Sequence, residues 1–256
     1  MRVSWPRAAR LLLAGTAATL ALSGCTSDQP AQQESITVSA AASLHGAFEQ
    51  IAKEFQAEHP EVKIAGINYD GSSSLATQIV EGAEVDVFAS ADEANMATVT
   101  EAGFGHEPVI FASNTLVIAV PKGNPANITA LEDLADANTV LCASQVPCGN
   151  ASAQLLENAS VSVKPVSEEQ NVSAVVQKVA AGEADAGLVY ATDVQDDSQL
   201  AAIVPEGADE VVNSYPIATL TDQPGAQEFV DFVIGERGQA ILTDYGFGSG
   251  AAQGNG

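Results

Sequence analysis

Ser43 and Ser72 occupy the same kind of junction. Each follows an extended stretch and a set of small residues, in Ala40-Ala41-Ala42-Ser43-Leu44 and Gly71-Ser72-Ser73-Ser74-Leu75, and each precedes a run with helical spacing. The first amides of a helix lack intrahelical acceptors, and the aligned peptide dipoles add partial positive charge there. Such an end suits an anion, since small residues let it approach the backbone and a serine adds a hydroxyl donor. The competing reading is that both serines are N-caps, which serine favours in any protein. Val146-Pro147-Cys148-Gly149, ahead of a helix from Ala151, and Asn171-Val172, at the next helix start, are two further junctions of this type.

Other reactive side chains are less suggestive. Ser43 and His45 could form a nucleophile and its base, but two positions apart at a helix start their side chains diverge. His59 and His106 show no ligand spacing. Asp86 follows a strand pattern, Asp92 reads as a helix cap, and Asp193 could orient Tyr190 or cap a turn. The pair Cys142 and Cys148 has no histidine or further cysteine nearby to complete a zinc set; in an exported chain it reads as a disulfide.

Export is written in the first residues. Arg2, Arg7 and Arg10 precede an apolar run from Leu11 to Leu22 that is shorter than the roughly 20 residues a membrane span needs. Leu22-Ser23-Gly24-Cys25 resembles the lipobox of bacterial lipoproteins, in which the cysteine is acylated and becomes the new N-terminus. Residues 1–24 are then a signal peptide and 25–35, polar and without apolar periodicity, a flexible tether. All 33 acidic residues follow Cys25 while three of the 9 basic ones precede it, so the processed chain carries −27. Binding nucleic acid needs basic patches, so nucleic acid is excluded as a partner.

The body alternates strand and helix signals. Ile36-Thr37-Val38, Val62 to Tyr69, Val85 to Ala89, Thr115 to Val120, Thr139 to Cys142, Ala186 to Tyr190 and Tyr215 to Ala218 read as strands. Helical stripes lie between them, for example Phe48, Ile51, Ala52 and Phe55, or Leu75, Ala76, Ile79 and Val80. The pattern predicts α/β lobes with largely parallel sheets.

The order of these segments resembles the molybdate-binding proteins of bacterial ABC importers. The resemblance runs from Ile36 to Phe247 and rests on the first three of the helix-start junctions together with Gln78-Ile79, Gly82 to Asp92, Gly187-Leu188-Val189-Tyr190-Ala191-Thr192-Asp193 and Tyr245-Gly246-Phe247. It implies a type II periplasmic-binding-protein fold with two α/β lobes joined by a two-strand hinge. Lobe 1 is residues 36–113 plus 215–248, lobe 2 is 114–214, and 249–256 form a disordered tail. By the same resemblance an oxyanion lies between the lobes, held by the hydroxyls of Ser43, Ser72 and Tyr190 and the amides of Cys148 and Val172, with no direct metal ligand and no cofactor. Donors alone suit a proton-free dianion such as molybdate or tungstate, and sulfate or another small oxyanion is the alternative. The implied protein is not an enzyme. It is a monomeric lipoprotein on the extracytoplasmic face of the cell membrane, with an ABC permease as partner; a lipid-anchored hydrolase using Ser43 and His45 is the alternative of another class.

Overall fold

The computed structural model describes residues 33–105, 107–195 and 197–250. The segment expected to be a signal peptide, Cys25, the expected tether up to residue 32, His106, Asp196 and residues 251–256 lie outside the described residues. The first half runs β1 (Glu34–Ala41), a 3-10 turn (Ala42–Leu44), α1 (His45–Glu58), β2 (Val62–Asp70), α2 (Ser72–Val80), β3 (Val87–Ala89), α3 (Glu93–Glu101) and β4 (Val109–Pro121). A 3-10 turn (Leu131–Ala135) leads to β5 (Thr139–Cys142), α4 (Pro147–Asn158), β6 (Ser167–Glu169), α5 (Val172–Ala180), β7 (Ala186–Tyr190), α6 (Ala191–Val194) and β8 (Leu200–Ile203). After a short 3-10 turn (Ala208–Glu210), β9 (Val212–Thr219), α7 (Pro224–Ile234), α8 (Glu236–Asp244) and β10 (Gly248–Ser249) complete the chain.

The strands follow one path, β2-β1-β3-β9-β4-β7-β5-β6, with β10 and β8 also paired to β4. Two hydrophobic cores sit along it. Phe48, Phe55, Phe111, Tyr215 and Phe229 dominate the first, and a smaller cluster with Leu75, Phe88 and Met96 is buried beside β3 and α2. Leu116, Ile118, Val120, Val175, Leu188 and Leu155 belong to the second core. β4 serves both: Val109 to Thr115 pair with β9, and Leu116 to Ala119 pair with β7. The chain therefore passes from one core to the other inside β4 and returns between β8 and β9.

The α/β class is as expected, but the sheet is mixed. Parallel pairing is confined to β1 with β2 and β3, and to β5 with β6 and β7. Every ladder of β4 and β9 is antiparallel; in their own pairing, a strand that leaves the first core lies beside the one that returns to it. Glu34 and Ser35, expected in the tether, already pair with Val62 and Lys63 in β2. Ser249, expected in a disordered tail, pairs with Ala112. Helix α4 starts at Pro147 rather than Ala151, with proline in the first turn, where its missing N–H costs no hydrogen bond. Among the described residues no helix is long and apolar enough to cross a membrane.

Cys142 and Cys148 are joined, with Sγ atoms 2.08 Å and Cα atoms 5.7 Å apart. The bridge ties the end of β5 to the first turn of α4. Gly149 follows because a Cβ there would stand 1.9 Å from the Ala143 carbonyl oxygen.

Candidate functional site

Three helix N-termini and one 3-10 turn meet at one small cavity. From the first core come Ala42 and Ser43 of the turn, and Asp70, Gly71 and Ser72 at the start of α2. From the second come Val146, Pro147 and Cys148 at α4, Asn171 and Val172 at α5, and Tyr190 at the end of β7. All five residues singled out in the sequence, Ser43, Ser72, Cys148, Val172 and Tyr190, thus line the same space. Larger hollows exist on the surface, but one of them is lined by Glu132, Glu206 and Glu210, a poor environment for an anion.

Neither serine caps a helix with its side chain. Ser43 lies one residue ahead of the α1 N-cap, Leu44, and its hydroxyl is 3.0 Å from the Tyr215 hydroxyl. Ser72 is the first residue of α2, behind an N-cap of Gly71, and its oxygen accepts the Ala91 N–H at 3.0 Å. The capping explanation, strong for each serine alone, therefore fails for both. Asn171 does cap α5, accepting from Ala174 N at 3.0 Å, so the Val172 N–H keeps no intrahelical partner. Cys148, in the first turn of α4, is in the same position; Val146 supplies no side-chain cap.

Tyr190 is 1% exposed, and its hydroxyl, shielded from solvent, makes no hydrogen bond. A buried polar atom left unpaired costs about 1–3 kcal/mol, so this phenol is a donor in want of an acceptor at the cavity. Burial pushes it well above its ordinary pKa, and the nearby Tyr215 and Asp193 act in the same direction. It is protonated throughout the physiological range. Tyr215, packed edge-on against Tyr190 with ring centroids 6.0 Å apart, is likewise held protonated by burial.

Two residues were not foreseen from sequence. Asp70 brings a carboxylate to the lining, and its Oδ1 accepts from Gly71 N at 2.7 Å and from Asn171 Nδ2 at 2.9 Å. The second of these bonds joins the two sides of the cavity. Tyr215 read as strand only, and its contact with Ser43 spans 172 positions. A Cβ on Gly71 would lie 2.1 Å from the Gln170 carbonyl oxygen, so the two sides also meet backbone to backbone.

The remaining candidates lie elsewhere or do other work. His45 is exposed and packs edge-on against Tyr69, with no hydrogen bond between it and Ser43 among the described residues. Asp86 holds Thr37, Thr221 and Gln223, and Asp92 caps α3 through Asn95 N. His59 Nδ1 lies 3.4 Å from Glu61 and 3.2 Å from Glu228, an arrangement invisible in the sequence; none of the three lines the cavity.

The profile of the family described as bacterial extracellular solute-binding protein matches residues 36–248. The molybdate-binding protein ModA of Mycobacterium tuberculosis is 44% identical over 243 residues, covering 88% of this chain and 92% of its own. The putative ABC transporter substrate-binding lipoprotein YvgL of Bacillus subtilis is 28% identical over 253 residues, covering 93% and 96%. Among solved structures, the periplasmic molybdate-binding protein of Azotobacter vinelandii superposes with a TM-score of 0.69 over 83% of this chain and 98% of its own. At 21% identity that likeness speaks for the fold alone.

Asp193 gives the site a pH dependence that can be measured. Its Oδ2 accepts the Tyr190 N–H at 2.9 Å, yet burial outweighs this bond and pushes the carboxyl up to about 7 from an ordinary 3.8. A carboxyl raised in the folded state favours folding while it is protonated, and that contribution is lost as pH rises through about 7. Asp193→Asn keeps the acceptor and removes the titration. Thermal melts between about pH 4 and about pH 8 should show the variant gaining on wild type with rising pH and levelling above the folded pKa. A constant difference across that range would contradict the assignment.

Proposed function

The chain belongs to the bacterial extracellular solute-binding proteins, and from that premise we propose that it captures molybdate between its two lobes and presents it to an ABC permease. The carrying observation is the convergence of uncapped helix amides, two serines and an unpartnered buried phenol on one cavity. The names of the mycobacterial and Bacillus relatives support the ligand and the transporter. In this reading the hydroxyls of Ser43, Ser72 and Tyr190 and the amides of Cys148 and Val172 hold the oxyanion. Hydrogen bonds to a charged partner contribute about 1.5–3 kcal/mol each, so neutral donors in a dry cleft suffice without a countercharge. Tungstate, of the same charge and nearly the same size, binds too. Asp70 also lines the cavity, with its Oδ1 engaged by Gly71 and Asn171.

The two crossing segments, within β4 and before β9, act as a hinge between lobes of residues 36–113 plus 215–248 and 114–214. The protein works as a monomer, anchored by lipid on Cys25 at the extracytoplasmic face of the membrane. The Leu22-Ser23-Gly24-Cys25 sequence and the lipoprotein among the relatives support the anchor. Cells fed labelled palmitate should label the wild-type chain and not Cys25→Ala; equal labelling of the two would exclude the anchor.

Calorimetric titration with molybdate, tungstate, sulfate and phosphate tests the ligand. Heat is expected with the first two, and its absence from both would overturn the proposal. Gly71→Ala tests closure separately. Alanine is compatible with the extended backbone at this position (φ −60°, ψ 135°), but its methyl would wedge against Gln170 across the cleft. Molybdate affinity should fall at least about tenfold, the equivalent of roughly 1.4 kcal/mol, with no loss of thermal stability in the ligand-free protein. An unchanged affinity would show that the lobes need not approach this closely.

A further inference from the structure

Both serine oxygens at the cavity are occupied from behind. Ser72 Oγ accepts the Ala91 N–H at 3.0 Å, and the Ala91 carbonyl accepts from Asn213 Nδ2 at 3.0 Å, so the backbone is held on both sides of the Ala91 Cα. Ser43 Oγ stands 3.0 Å from the Tyr215 hydroxyl. Either hydroxyl can donate in that pair; when Tyr215, which is fully buried, is the donor, the proton of Ser43 is left for the cavity that Ser43 lines.

Asn213 and Tyr215 are two positions apart on β9 and both buried, while Val212 and Ser214 between and beside them are more exposed. Side chains two apart on a strand share a face, so one strand face supplies both constraints. Asn213 lies opposite Asn114 in the ladder, at the point where β4 passes between the cores.

We propose that Asn213 and Tyr215 are positioning residues that set anion selectivity. Tyr215 directs its hydroxyl proton onto Ser43, and Asn213 fixes the backbone at Ala91, whose N–H reaches Ser72, so that both serines are left to act as donors. A protonated oxyanion needs an acceptor in its shell and a proton-free dianion does not, so the shell favours the second class. This inference rests on the oxyanion reading above.

Tyr215→Phe removes the hydroxyl and keeps the ring in its packing against Phe111 and Phe247. Ser43 is then free to turn and accept. Calorimetry at about pH 7.5 with molybdate and with phosphate, which is largely hydrogen phosphate there, reads the effect on wild type, Tyr215→Phe and Asn213→Ala. Each variant should bind molybdate about tenfold more weakly, with the molybdate-to-phosphate affinity ratio narrowed by at least that factor because phosphate affinity holds or rises. A merely structural role would lower the melting temperature and weaken both ligands alike, leaving the ratio unchanged. A ratio within about twofold of wild type in both variants overturns the proposal. Wild-type protein that takes up neither anion would instead remove the oxyanion reading on which it stands.

Discussion

The pairing of β4 with β9 is the interaction on which the rest depends. In that ladder Thr115 faces Val212, Asn114 faces Asn213, Ser113 faces Ser214 and Ala112 faces Tyr215. The same strand continues into the second core as Leu116 to Ala119 against β7, which ends at Tyr190. One register therefore fixes the Ser43 side and the Tyr190 side of the cavity relative to each other. Because strand side chains alternate, a slip of one residue would turn Asn213 and Tyr215 away from Ala91 and Ser43 together and expose both polar groups' partners. The aromatic edge contacts of Tyr215 with Phe111, Phe247 and Tyr190 oppose such a slip.

Electrostatics explains why the cavity has the residues it has. The chain carries a net −24, and its surface field does nothing to draw an anion inward. What the cavity offers is fixed dipoles at short range: amides at three helix starts and hydroxyls whose orientation is set from behind. Within each side of the cavity such groups are held by the fold and need no local reorganisation. A lysine or arginine would bind more anions but distinguish fewer, since a point charge does not report on the protonation of its partner. The one carboxylate in the lining, Asp70, is turned to structural use, accepting from Gly71 on its own side and Asn171 on the other.

Local chemistry was legible in the sequence and distant chemistry was not. Ser43, Ser72, Cys148 and Val172 belong to short motifs at helix starts, where neighbouring residues announce the geometry, and they line the cavity together. Tyr190, too, ends a strand that its apolar run marks. Asn213 and Tyr215 act across 122 and 172 positions, so no local pattern could connect them to Ala91 and Ser43. The antiparallel β4 and β9 escaped for the same reason: periodicity reveals a strand but not the direction of its neighbours. Glu34 falls in a stretch that reads as tether because it is polar and lacks apolar periodicity, although its carboxylate accepts the Gly225 N–H at the start of α7 and so belongs to the packed body.

The two sides of the cavity supply different parts of one shell, and this links ligand to conformation. Ser43 and Ser72 sit with the first core, while Cys148, Val172 and Tyr190 sit with the second. On the proposed reading neither set alone completes the coordination of a tetrahedral anion, so the anion binds the closed arrangement more tightly than any open one and shifts the population toward it. The Asp70–Asn171 bond is present in the same arrangement and adds to its stability. Against it stands the Tyr190 hydroxyl, buried with no partner, whose cost of about 1–3 kcal/mol falls on the closed state only while the cavity holds no acceptor. A ligand that removes that cost on entry makes closure depend on occupancy. A carrier needs that dependence if a permease is to distinguish its loaded form from its empty one.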